Sequence, residues 1–169
     1  MGNNIFIVTF LRFILLVLLQ VFLFNNINLG GYINPYVYLL FILLFPLDGN
    51  RTILIFLSFL LGLSIDIFED SGGVHAAASV FAAYMRLFVM KYSFGVSYEY
   101  NISKLEKTSM SEKITYISSI VLLHHIVLFS LEFFNFNHLL LLIKSIIFSS
   151  VFTFAVVLSI IILFSRQES

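Results

Sequence analysis

Apolar residues fall into six runs, 5–24, 33–47, 52–68, 74–90, 114–131 and 139–164, separated by short polar stretches. A helix needs around 20 apolar residues to cross ~30 Å of hydrocarbon, and five of the runs have about that length. Run 33–47 is the short one, with Pro35 in its first turn, where a proline lacking its N–H does least harm. The pattern predicts an all-α integral membrane protein, a single transmembrane domain of six helices over 1–169, with one substantial extramembrane segment, the loop 91–113. Run 5–24 has no small-residue cleavage site and is read as a retained helix. In the loop, Ser103 followed by Glu106 has the spacing of a capping box.

Basic residues orient the bundle. Arg51 follows the second run, Lys91, Lys104, Lys107 and Lys113 follow the fourth, and Arg166 follows the sixth. The alternate segments 25–32, 69–73 and 132–138 contain no Lys or Arg. Short loops rich in Lys and Arg stay cytoplasmic, so both termini are expected inside and the segment 69–75 outside. A five-helix chain in which run two does not span, with its N-terminus outside, satisfies the same loop charges. Tyr32 and Tyr36 at one boundary, with Tyr92, Tyr98, Tyr100 and Tyr116 at the other, are expected as interfacial anchors.

Composition agrees with this reading. Hydrophobic residues make up 60% and charged ones 11%, where soluble domains have about 45 to 50% and about 25%. Nine basic and nine acidic residues balance, which removes the case for a nucleic-acid surface. With no Cys there is no disulfide and no thiolate chemistry. His124 and His125 are adjacent, hence about 100° apart around a helix and unable to chelate one ion together. No catalytic or nucleotide-binding motif occurs. The expectation is a non-catalytic protein with no cofactor and no metal.

Charged residues inside apolar runs then become informative, since a cation at a helix centre costs roughly 2.5 to 3.5 kcal/mol. Arg12 and Arg86 stand within about two turns of a cytoplasmic helix end, where snorkelling accounts for them. Lys144 stands near the outer end of the sixth helix and is a candidate to pair with Asp66 or Glu132. Asp66 occupies the last turn of the third helix, against the helix dipole at a cost of about 0.3 to 1 kcal/mol. Ser58, Gly62 and Asp66 share one face, matched by Ala76, Ser79 and Ala83 and by Ser145, Ser149 and Thr153, and small residues let membrane helices approach closely. Two readings of Asp66 follow: a carboxylate wetted at the interface, or a fixed polar contact to His75 or Lys144 that shapes the outer loop.

Taken together, Asn34-Pro35, Gly62-Leu63-Ser64-Ile65-Asp66, Gly73-Val74-His75-Ala76, Tyr84 with Arg86, and Gln20 late in the first helix resemble the MreD family of rod-shape-determining membrane proteins. The likeness is densest from Gly31 to Arg86, while the last two helices match only in hydropathy. It implies a non-catalytic scaffold of the bacterial cell-elongation complex in the inner membrane. The partners implied are an MreC-like protein directly, and an MreB-like filament, a RodA-type glycosyltransferase and a penicillin-binding transpeptidase indirectly. It also implies a fold similar to the substrate-binding subunits of energy-coupling-factor transporters. The candidate structural and partner-contact residues are Asp66, Gly62, Gly73, His75, Arg86 and Lys144. The fold kinship supplies an alternative, a solute-binding subunit of a vitamin-type transporter. Such subunits dock through a small-xxx-small pattern on the first helix, and 5–24 holds no Gly, Ala or Ser. The basic segment 91–113 is expected to touch membrane lipid or cytoskeletal protein.

Overall fold

A computed structural model describes residues 2–31, 33–47, 49–95, 108–134 and 139–165. They form α1 (Gly2–Phe22), a single 3-10 turn (Phe24–Asn26), α2 (Leu39–Leu43), α3 (Arg51–Glu69), α4 (Val74–Phe94), α5 (Met110–Glu132) and α6 (Leu139–Ser165), and no strand occurs among the described residues. Among the described residues, four spans are both long and apolar enough to cross a membrane: Ile7–Asn26, Arg51–Glu69, Met110–Glu132 and Leu139–Leu163. α4 is as long as α1 but more polar. It packs between α3 and α5, and its buried face of Ala76, Ala78, Ser79, Ala82 and Ala83 meets protein rather than lipid. α6 packs on α5 and α1 on α3.

The second run departs from expectation. Only five of its residues are α-helical, a length of about 7.5 Å at 1.5 Å per residue, so α2 alone cannot cross a membrane. The chain enters through tight i to i+3 turns, Leu39, Leu40 and Phe41 donating to the carbonyls of Tyr36, Val37 and Tyr38. Every residue from 35 to 43 is buried. Continuous hydrophobicity here reflects a segment enclosed by protein on all sides, which hydropathy alone does not separate from a lipid-facing helix.

An irregular segment in an apolar interior must have its peptide groups paired, because no water is present to take them. The surrounding helices provide the partners. From α1, Gln20 donates to the Pro35 carbonyl at 3.1 Å and accepts from the Tyr38 amide at 3.3 Å, and Arg12 donates to the Leu44 carbonyl at 2.9 Å. From α6, Thr153 Oγ1 accepts the Tyr36 amide at 3.0 Å. From α4, Arg86 donates to the Phe45 carbonyl, and from α5 the Tyr116 hydroxyl donates to the Leu43 carbonyl at 3.2 Å. These contacts run residues 35–45 antiparallel to α1.

Several expectations change accordingly. Arg86 does not snorkel; it is 4% exposed and also donates from Nε to the Tyr116 hydroxyl at 2.7 Å. Tyr36 and Tyr116 are core residues rather than interfacial anchors, whereas Tyr92 is exposed. α5 begins with a capping box, but between Ser109 and Glu112. The pair Ser103 and Glu106 and most of the loop 91–113 lie outside the described residues.

Two buried hydroxyls of α6 provide a controlled comparison. Thr153→Val strands the Tyr36 amide and the His125 ring nitrogen that faces Thr153, and should lower stability by about 1 to 3 kcal/mol. Ser145, fully buried with no hydrogen-bond partner among the described residues, should be near neutral when replaced by Ala. Unfolding of the two variants in detergent micelles reads this difference.

Candidate functional site

The most organised polar cluster stands where α3 hands over to α4. α3 ends on Asp70 in the left-handed region (φ 52°), and Gly72 and Gly73 follow at φ 69° and 96°. Such a run reverses the chain within four residues and favours glycine, which has no Cβ to clash. Gly73 then occupies the N-cap of α4, a position where the usual cap is a side-chain oxygen that glycine lacks. Asp66 supplies the missing cap from the preceding helix. Its Oδ1 accepts the His75 amide at 3.0 Å and its Oδ2 the Ala76 amide at 2.9 Å. A carboxylate that opposes the dipole of its own helix is thus held at the positive end of the next one.

Gly62 makes this reach possible. A Cβ built at Gly62 would stand 2.5 Å from the Ala76 Cα and from the His75 carbonyl oxygen, both backbone atoms that cannot swing aside. The helices therefore touch backbone to backbone one turn below Asp66. Ser71 completes the cap, its hydroxyl donating to Asp66 Oδ1 at 2.6 Å. The His75 ring places Nδ1 at 3.1 Å from Asp66 Oδ1 and Nε2 at 3.4 Å from Glu69 Oε2, so the imidazole lies between two carboxylates of α3. Of the two readings of Asp66, the geometry realises the fixed contact to His75.

Gly62, Asp66, Gly73 and His75 meet at this one junction, and Arg86 and Lys144 do not. Arg86 is at the other end of α4 with Phe45 and Tyr116. Lys144 is exposed on α6 and forms no ion pair among the described residues, with Asp66 or with Glu132. Ser71 and Glu69 do not stand out in the sequence; Ser71 was findable as the one hydroxyl in the turn between Asp66 and His75.

Beneath the junction the interior holds a second polar cluster. Tyr36 lies among His75, His124, His125 and Phe129, with ring centroids 5.1 to 6.1 Å apart. The hydrogen-bond directions at His125 are determined: Nδ1 faces the Val121 carbonyl at 2.7 Å and must donate. Nε2 then accepts from the Thr153 hydroxyl at 3.2 Å, leaving that oxygen free to accept the Tyr36 amide. His124 Nε2 meets the Tyr38 hydroxyl at 2.8 Å. Both histidines are fully buried and serve the packing of the enclosed segment, and no group of three metal-ligating side chains converges among the described residues.

Chemically, the junction is a cap. Both Asp66 oxygens accept backbone amides, Oδ1 also accepts the Ser71 hydroxyl, and His75 Nδ1 stands 3.1 Å from both Ser71 Oγ and Asp66 Oδ1. No family model matches the chain, and neither a curated protein nor a solved structure matches it.

Two substitutions test the junction. Asp66→Ala leaves two helix-terminal amides unpaired and should cost about 1 to 2 kcal/mol. Gly62→Ala forces backbone against backbone and should cost about 1 to 3 kcal/mol. Because Gly62 acts by letting Asp66 reach its cap, the double variant should lose less than the sum, by about 0.5 kcal/mol or more in an unfolding cycle.

Proposed function

We propose that the protein is a non-catalytic scaffold of the bacterial inner membrane, of the MreD kind, that binds an MreC-like partner and through it serves the cell-elongation machinery. The observation that carries this reading is the convergence of Gly62, Asp66, Gly73 and His75 on one helix junction. These four of the residues of the resemblance lie within 62–75, on two consecutive helices and the turn between them, and they form one physical device. That device fixes the outer turn between α3 and α4, the surface on which the extracytoplasmic part of a single-helix partner would bear.

The interior also favours a scaffold over a solute-binding subunit. Residues 35–43 fill the centre of the bundle, and residues 38, 39, 42 and 43 have no exposed surface at all. The half-open cavity beside it, at the Arg51 end, has about 70 Å³, against roughly 300 to 1,000 Å³ for sites that hold a small organic ligand. The return of residues 35–45 alongside α1 supports six crossings of the chain, the second of them broken, with both termini cytoplasmic. On this topology Arg51, Lys91 and Lys113 share the cytoplasmic side, as short basic loops require.

Recovery of the tagged protein from native membranes in mild detergent, with co-purifying chains identified by mass spectrometry, tests the proposal. An MreC-like chain with wall synthases is the expected result. ATPase subunits with a coupling membrane protein, or a bound vitamin, would overturn it. Asp66→Ala should insert normally and recover less of the partner; unchanged recovery would remove the outer turn from the mechanism.

A further inference from the structure

A second site stands at the opposite end of α4 from the Asp66 junction. A half-open cavity of about 70 Å³ is bounded by Leu47, Gly49, Leu54 and Met90 and by two guanidinium groups, Arg51 and Arg86. Arg86 is 4% exposed, and its hydrogen bonds go to a phenol and a carbonyl, both neutral. Arg51 donates to the Tyr84 carbonyl and lies over the Tyr84 ring at 4.5 Å, while its Nε is buried with no hydrogen-bond partner among the described residues. Neither guanidinium has a carboxylate partner among the described residues, of which Asp48 is not one. Two cations at one small cavity, one enclosed by neutral groups and the other with an unused donor, are an arrangement that an oxyanion completes.

The surface beside the cavity is apolar. Tyr84, Phe88 and Tyr92 recur every fourth residue along α4 and are all exposed. On the far side of Phe88 a surface groove of about 360 Å³ runs between α4 and α5, lined by Phe88, Val89, Tyr92, Leu122 and Leu123 with Ser119 as its one aliphatic hydroxyl. Phe88 joins the two features, since its ring is also 5.9 Å from the Arg51 guanidinium. A ligand satisfying both has a phosphate at one end and a hydrocarbon chain beside it. Basic pockets between membrane helices take the headgroups of anionic lipids for this reason.

We propose that Arg51 and Arg86 hold the phosphate of an anionic phospholipid whose acyl chain lies in the α4–α5 groove beside Phe88. The lipid neutralises the buried guanidinium of Arg86 and seals α4 to its neighbours at this membrane surface. The site does not depend on the scaffold reading, because it is built from α3, α4, α5 and the chain leading into α3, and uses none of the residues of the Asp66 junction.

Native mass spectrometry of the full-length protein in a neutral detergent, with phosphatidylglycerol and phosphatidylcholine of the same acyl chains supplied equally, tests the assignment. The expected preference for phosphatidylglycerol is about fivefold, the weight of one basic side chain near an anionic surface. Arg51→Gln should abolish the preference and Arg51→Lys should keep most of it, which separates loss of the site from loss of the fold. Phe88→Ala should shorten lipid retention. Lys144→Gln, at the other end of the bundle, should change nothing. Equal retention of the two lipids, an equal loss from Lys144→Gln, unaltered retention in Phe88→Ala, or binding of inorganic phosphate without lipid would each overturn the proposal.

Discussion

A peptide group taken out of water must be paired, and this chain places a short helix with irregular backbone on both sides of it at the centre of an apolar bundle. The segment 35–47 cannot satisfy itself as a regular helix would. Its partners come from α1, α4, α5 and α6, as Gln20, Arg86, Tyr116 and Thr153, with Arg12 reaching the carbonyl of Leu44. Arg12 and Arg86 interrupt otherwise apolar runs at the cost of a charge inside the membrane, and Gln20 and Thr153 at a smaller one. Together they explain one another: polar groups that lipid would penalise are matched to carbonyls and amides that lipid would penalise equally. The helices are therefore tied around a common core segment, rather than only to their neighbours.

The α3–α4 hairpin obeys a different constraint, that of close approach. Gly62 brings the two backbones together, Gly72 and Gly73 permit the reversal, and Asp66 then caps the helix that follows. Removing any of these weakens the others, because the cap needs the approach and the approach needs the turn. At the far end of the same pair, Arg51 and Arg86 keep the bundle cationic where no acid among the described residues answers them. α4 is consequently anchored by a carboxylate at one end and presents a basic cavity at the other.

Much of this architecture is legible in the order of residues. Runs 52–68, 74–90, 114–131 and 139–164 each fall within a helix that extends no more than four residues beyond them, because a long apolar run has few alternatives to a helix. The spacing of Gly62, Asp66, Gly73 and His75 marks the junction, since small residues four apart and a carboxylate against its own dipole need a neighbour to explain them. The state of run 33–47 is not legible in this way. Hydropathy records exclusion from water, and burial inside protein looks the same as burial in lipid. Arg86 escapes for the same reason, as its distance from the helix end says nothing about the Phe45 carbonyl brought to it from 41 residues away. Lys144 likewise has candidate partners at its depth but faces outward from α6.

The enclosure of residues 35–43 is the claim on which the rest stands, and the absence of Trp from the chain makes it directly measurable. Single Trp residues introduced at Tyr38, Phe41 and Leu40 would be compared in brominated-lipid bilayers with Trp at Phe10 and Phe56, which are 62% and 59% exposed. On a regular helix Leu40 stands about 200° round from Tyr38, so the three positions view different sides. Enclosure predicts fluorescence that bromolipid leaves unquenched at all three and strongly quenches at the two exposed positions. Quenching at Leu40→Trp as strong as at Phe56→Trp, with Tyr38→Trp protected, would show a lipid-facing helix and contradict the account.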